Sequence, residues 1–262
     1  MSSRESAYVI GLGEVGRRLS EALAIRGWTI RPVTRDSGWE PALDANDRSP
    51  RIVAVREEQL QAVLDRFPAV MADRLVLVQN GFLEAVHGDL GPVTRGLVYF
   101  TSKKDFFRVL CPSPFHGTLA QSLAGDLCEG GIAAETVADR AEFLREMIVK
   151  GIWNAVVGLP LAVHDVDLGT YLARHVDELD ALADESARAA GAEYGVRLSG
   201  ERAVLKLRAT TSELGWVRGG AKALPWRNGA LARFGRTHGI ATPVNDRLLR
   251  AVGHDPDIPS GS

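Results

Sequence analysis

Tyr8-Val-Ile-Gly-Leu-Gly-Glu-Val-Gly16 decides the fold. A β-rich run, Tyr8 to Ile10, turns into three glycines spaced GxGxxG. Val15, Leu19, Leu23 and Ala24 then recur at helical spacing until Gly27 stops the helix. In a strand–turn–helix of this kind the first glycine makes the tight turn, the second lets the backbone approach a pyrophosphate, and the third packs helix on strand. The amides of the helix N-terminus then face the phosphates. Gly11, Leu12, Gly13, Glu14, Val15 and Gly16 are therefore candidate contacts for a dinucleotide.

Working outward, Trp28 to Thr34, Arg51 to Val55 and Arg74 to Val78 are further extended runs, alternating with a helical pattern over Glu57 to Phe67. Alternating βαβ units predict a parallel sheet with right-handed crossovers. Gly96 to Thr101 and Phe106 to Cys111 read as later, antiparallel strands. The second strand ends in Val33-Thr34-Arg35, where an NAD site would place an acidic residue for the ribose; Arg35 points instead to a 2′-phosphate, and so to NADP(H). Asp36 follows and could pair with Arg35 or take the ribose role.

From Asp139 the texture is helical: Arg140 to Val157, His175 to Glu193, Glu201 to Trp216, Trp226 to His238 and Thr242 to Val252. Gly195 and Gly239 sit as C-terminal caps, and Thr242-Pro243 supplies an N-cap with a first-turn proline. The expected architecture is α/β: an N-terminal Rossmann-type dinucleotide-binding domain over 1–138, an all-helical substrate and catalytic domain over 139–253, and a flexible tail over 254–262.

Composition narrows the function class. The 262 residues are 45% hydrophobic and 24% charged, with 31 basic against 33 acidic residues. That balance supplies no electrostatic reason to bind nucleic acid or an anionic membrane. Cys111 and Cys128 form no disulfide framework or zinc pattern, and the six histidines have no metal-ligand spacing, so no metal is expected. Without an export signal or an uncharged span of membrane length, the expected compartment is the cytoplasm.

The most informative helical stretch is Arg145 to Pro160. Lys150 interrupts an apolar pattern, and Asn154 follows four residues later, so both project from one face of a buried helix. Gly158 continues that face without a side chain. A desolvated lysine has a lowered pKa and can donate a proton near neutrality.

Taken together, the sequence resembles the ketopantoate reductase family, NADP-dependent enzymes that reduce a branched 2-keto acid. The match rests on Gly11 to Gly16 with Arg35, the Gln79-Asn80-Gly81 turn, the Lys150-x-x-x-Asn154 helix, Asp184 to Leu198, and Asn228-Gly229 through Gly239-Ile-Ala-Thr-Pro-Val-Asn245. The resemblance implies Lys150 as general acid, Asn154 as a residue that hydrogen-bonds substrate, and Asn80 beside nicotinamide and substrate. The family's substrate serine falls at Thr211 or Ser212. Its second helix asparagine falls on Gly158, its glutamate on Ala223, a nearby acidic residue on Pro225, and its usual lysine after Ala54-Val55 on Arg56. Arg56, Lys103 and Lys104 could hold a substrate carboxylate, and Trp153, Trp216 or Trp226 could wall the substrate.

The expected function is an NADPH-dependent reductase of a 2-keto acid or related small carbonyl compound other than ketopantoate, with a homodimer left open. Two further readings rest on the same residues: a non-catalytic NADP-binding protein, motivated by Ala223 and Gly158, and a genuine 2-dehydropantoate 2-reductase.

Overall fold

The computed structural model describes residues 5–35, 39–83, 92–103 and 106–256. Asp36, Lys104, the side chain of Lys103 and residues 257–262 of the expected tail lie outside them. The described residues form two units, 1–79 with 83–143 and 80–82 with 144–262.

The first unit is built on a seven-stranded sheet ordered β2-β1-β3-β4-β5-β8-β9. Its strands are β1 (Ser6–Ile10), β2 (Thr29–Val33), β3 (Arg51–Val53), β4 (Leu75–Leu77), β5 (Thr94–Gly96), β8 (Ser113–His116) and β9 (Ala134–Thr136). The first five run parallel, and β8 turns antiparallel against β5. Chain order reverses at β1, which lies between β2 and β3; this is the topological switch at which such sheets bind ligands beyond the strand C-termini.

Its helices are α1 (Glu14–Ile25), the single turn α2 (Glu40–Leu43), α3 (Glu57–Leu64) and α4 (Ala120–Glu129). Ala7, Val9, Ile52 and Val76 of the sheet pack with Leu19 and Leu23 of α1 and Leu123 and Leu127 of α4. Each large apolar side chain so buried contributes about 1.5–3 kcal/mol.

One sequence expectation about the sheet is corrected here. Gly96 to Thr101 is not one strand: β5 ends at Gly96, and a separate antiparallel pair, β6 (Phe100–Lys103) and β7 (Phe106–Val109), begins at Phe100. Position 96 has to be glycine, because a Cβ there would run into the ring of Phe115 on β8.

The loop before β3 is held by an arginine inside the core. Arg51 is fully buried and donates to the carbonyls of Ala42, Asp44, Asp47 and Ser49 while its guanidinium lies 5.0 Å from the Tyr8 ring centroid. Asp47 accepts from Tyr8 Oη at 2.9 Å, Arg31 at 3.0 Å and the Ser49 amide at 2.8 Å. Burial acts to raise its pKa, yet hydrogen bonds from Ser49 and Tyr8 and the charge of Arg51 hold it at about 2. A carboxylate depressed in the folded state stabilises above its unfolded pKa, about 4, and loses that contribution as pH falls toward 2. Unfolding free energy should therefore drop between about pH 4 and pH 2, and Asp47→Asn should flatten part of that drop in denaturant titrations; an unchanged acid limb would refute the assignment.

The second unit is helical: α5 (Arg140–His164), whose first four residues belong to the sheet unit, α6 (Leu168–Arg174), α7 (Val176–Tyr194), α8 (Gly200–Thr211), α9 (Asn228–Thr237) and α10 (Pro243–Ala251). α5 does not stop at Val157 but continues through Gly158 and Pro160. By length and composition it could cross a membrane; 72% of its apolar window is covered by protein, as in a core helix. α8 ends at Thr211, short of Trp216, which is 62% exposed.

Gly195 caps α7 in the left-handed conformation (φ 66°), as the sequence predicts. Thr242 does not cap α10, because its hydroxyl donates to Asp246. The cap comes from the buried Glu185 of α7, which accepts from the amides of Val244 (3.0 Å) and Asn245 (3.1 Å). Burial pushes this carboxyl's pKa up, against the pull of the two amides. His254 donates its amide to Leu249, and Pro256 is buried, so packing continues to residue 256.

Candidate active site

The sheet unit carries the glycine turn and the other residues expected to hold a dinucleotide. Gly11 takes φ 91°, which a side chain rarely adopts, and a Cβ at Gly16 would strike the Gly11 carbonyl. A Cβ at Gly13, by contrast, would meet nothing within 4 Å. Gly13 is the N-cap of α1 and no side chain caps that helix, so its first amides are left for an anion. The backbone is thus closed under Gly11 and Gly16 and open at Gly13, as a pyrophosphate requires. Leu12 and Glu14 are exposed beside it, and Val15 is half-buried.

A pocket of about 630 Å³ adjoins this turn and includes Gly11, Arg35, Trp39, Glu58 and Arg66 in its wall. Arg35 is exposed there. Arg66 lies over the Trp39 ring, 4.4 Å from its centroid, and thus brings a second guanidinium to the wall. Sequence reading missed Trp39 and Arg66; the signal was an aromatic residue shortly after the second strand, and the missing link was the fold that brings the end of α3 to it. Arg56 is 81% exposed and pairs with Glu58 at 3.7 Å. His116 is structural: its Nδ1 bonds the Val137 carbonyl at 2.8 Å and its ring stacks on Phe143.

The helical unit carries the polar face of α5. Lys150 and Asn154 are buried, 4% and 5% exposed. The Lys150 ammonium lies 3.9 Å from the centroid of the Trp153 ring, whose quadrupole offsets part of the desolvation cost. Trp153 is itself fixed by a 3.1 Å hydrogen bond from Nε1 to Thr210 Oγ1. Among the described residues Asn154 Nδ2 has no hydrogen-bond partner. A buried donor left unpaired costs about 1–3 kcal/mol, which a ligand acceptor would relieve.

Asn80 belongs to this same unit, and its buried Oδ1 also has no partner among the described residues. The segment is anchored by Phe82, whose amide donates to the Trp226 carbonyl at 2.8 Å and whose ring packs on Tyr194 and Phe234. Gly81 (φ 96°) admits that contact, since a Cβ there would lie 2.6 Å from the Trp226 oxygen. Gly151, next to Lys150, is a glycine because the Phe82 ring occupies the place of its Cβ. Fold and sequence together thus set Asn80, Lys150 and Asn154 in one unit.

The remaining candidates are less engaged with that face. Thr211 is buried and its hydroxyl donates to the Leu207 carbonyl at 2.6 Å; Ser212 is exposed at the end of α8. Gly158 is buried on the Lys150 face, and a Cβ there would meet only the Gly220 carbonyl, at 3.4 Å. Ala223 adopts φ 51°, a left-handed conformation that Ala takes at a cost. Trp153 and Trp226 are half-buried, whereas Trp216 stands out to solvent.

By sequence, no family pattern and no curated protein matches the chain. Solved structures do. A ketopantoate reductase from Ralstonia eutropha JMP134 superposes with a TM-score of 0.73 at 18% identity, over 95% of this chain and 97% of that one. The dimeric ketopantoate reductase from Staphylococcus aureus gives 0.71 at 18% identity, over 94% and 96%. A D-mandelate dehydrogenase solved with NADH gives 0.72 at 16% identity, over 95% and 97%. The chain therefore has the fold of the ketopantoate reductases and D-mandelate dehydrogenase, a Rossmann-type unit followed by a helical one.

Proposed function

We propose that the protein is an NADPH-dependent oxidoreductase that reduces the carbonyl of a 2-keto acid, with Lys150 as proton donor and Asn154 orienting the substrate oxygen. The observation that carries this reading is the pair of buried polar side chains on one face of α5, one of them with an unsatisfied N–H. The nicotinamide, when bound, supplies the hydride. Lys150 then delivers a proton to the developing alkoxide, and its charge stabilises that oxygen in a site of low dielectric. Asn154 Nδ2 donates to the same oxygen or its neighbour, and Asn80 Oδ1 accepts from substrate or cofactor amide.

The solved neighbours include a D-mandelate dehydrogenase with NADH and anilino(oxo)acetate. With Gly158 in place of a polar side chain, this chain is suited to a 2-keto acid with an apolar substituent rather than to ketopantoate. Retention of Lys150 favours catalysis over mere cofactor binding. The test is NADPH oxidation across 2-keto acids, aldehydes and cyclic imines; no turnover of any carbonyl class alongside tight NADPH binding would favour the non-catalytic reading.

Cofactor preference has its own test. Arg35 offers a charge-assisted contact to the 2′-phosphate, so NADPH should bind about tenfold or more tighter than NADH. Arg35→Ala should remove most of that difference in fluorescence titrations, and equal affinities in the unmutated protein would overturn the NADP assignment.

A further inference from the structure

Three side chains within fifteen residues of chain meet where the C-terminus of α5 reaches the α6/α7 junction. His164 is the last residue of α5, His175 is the junction itself, and Glu178 lies in the first turn of α7. The donor atoms they can offer all lie within 4.8 Å of one another. His164 Nε2 is 2.8 Å from Glu178 Oε1. The His164 and His175 rings stack with centroids 4.1 Å apart, and Tyr171 flanks His175 at 5.3 Å.

Stacking and one shared proton account for the His164–Glu178 pair but not for the second imidazole. Among the described residues no hydrogen bond reaches a ring nitrogen of His175, so this half-buried ring is held beside a carboxylate with its lone pair uncommitted. The carboxylate is oriented from outside: the buried Tyr171 hydroxyl donates to Oε1 at 3.1 Å, and Arg247 donates to Oε2 at 2.7 Å. Burial and the charge of Glu178 push the Tyr171 pKa up, so its hydroxyl stays protonated and remains a donor. Such outer hydrogen bonds fix the ligands of metal sites.

We propose that His164, His175 and Glu178 bind one divalent cation of the zinc type, with water completing the coordination. Two imidazoles and a carboxylate suit a borderline-soft ion, whereas magnesium and calcium prefer all-oxygen sets. Binding takes the place of the His164–Glu178 hydrogen bond, the neutral imidazole keeping its proton on Nδ1 while Nε2 meets the ion. His164 is 14 residues beyond Lys150 on the same helix, about 21 Å along its axis at 1.5 Å per residue, so the ion would clamp the end of α5 to the α6/α7 junction rather than touch the carbonyl.

The test uses the full chain, stripped with a chelator and titrated with zinc chloride by calorimetry. One equivalent should bind saturably with Kd on the order of 1 µM. His164→Asn and His175→Asn should each weaken binding by about 10²-fold, and Tyr171→Phe, which removes only the outer hydrogen bond, by about tenfold. Cobalt chloride added to the unmutated chain should give visible d–d bands of low-symmetry nitrogen–oxygen ligation, a readout independent of whether the histidine variants fold. Absence of saturable zinc binding, affinity unchanged in folded variants, or a cobalt spectrum identical to the aqua ion would each overturn the proposal.

Discussion

Lys150→Ala should lower the rate of carbonyl reduction by 10²-fold or more while leaving NADPH affinity within about twofold. General acids contribute about 10²–10⁴ to rate, and the proton is needed chiefly in the transition state, so the loss should appear in kcat and in kcat/KM alike. The ammonium is buried against Trp153, and little water can take its place as donor. Lys150→Met keeps the unbranched stem and the packing of α5, and it should be as inactive as alanine. Lys150→Arg should not rescue, because a guanidinium holds its proton too tightly to give it up in the transition state. Stopped-flow single turnovers separate the chemical step from release. Normal turnover in the methionine variant would move the proton donor elsewhere.

Ketopantoate should be reduced about 10²-fold less efficiently, in kcat/KM, than a 2-keto acid of similar size with an apolar side chain. A buried hydroxyl without a partner costs about 1–3 kcal/mol, or roughly 5- to 150-fold per missing contact. The Lys150–Asn154 face offers no polar group at Gly158 to receive one. The site nevertheless has room: Gly158 is helical, and an added Cβ would reach ordinary van der Waals distance from the Gly220 carbonyl. Gly158→Asn, its folding checked by circular dichroism, should raise ketopantoate kcat/KM by about tenfold while lowering that of the apolar substrate. If ketopantoate already matched the apolar acid in the unmutated protein, other residues would be meeting its hydroxyl and the substrate reading would fall.

The glycine turn, the first four parallel strands and the helical second half were legible because their signals are local: special backbone angles, alternation of period, apolar stripes. Lys150 and Asn154 were legible for the same reason, as a polar pair in an apolar helix. What escaped was set by tertiary context. Strands β8 (Ser113–His116) and β9 (Ala134–Thr136) lack the apolar runs that mark Arg51 to Val55 and Arg74 to Val78. α5 runs past Gly158 and Pro160 because protein covers it there, with Gly219 so close that a Cβ would press on the Val157 and Gly158 carbonyls. Burial thus overrides helix propensity. The α10 cap was assigned to Thr242 from its position, and the fold supplies Glu185 from about sixty residues upstream. Trp39 with Arg66, and His164 with His175 and Glu178, have no common motif; only the folded backbone brings each set together.

The three residues Asn80 to Phe82 belong to the helical unit although the chain on both sides of them belongs to the sheet unit. The protein is therefore not modular at its apparent seam. A chimera that exchanged everything after residue 143 for a homologous sequence would import a new α5 and α9 but keep the old Phe82, whose ring must fit the notch at Gly151 and the faces of Tyr194 and Phe234. Recombination across this fold has to treat a tripeptide and a distant helix as one heritable block, and variation at Gly151 is constrained by a residue some seventy positions away.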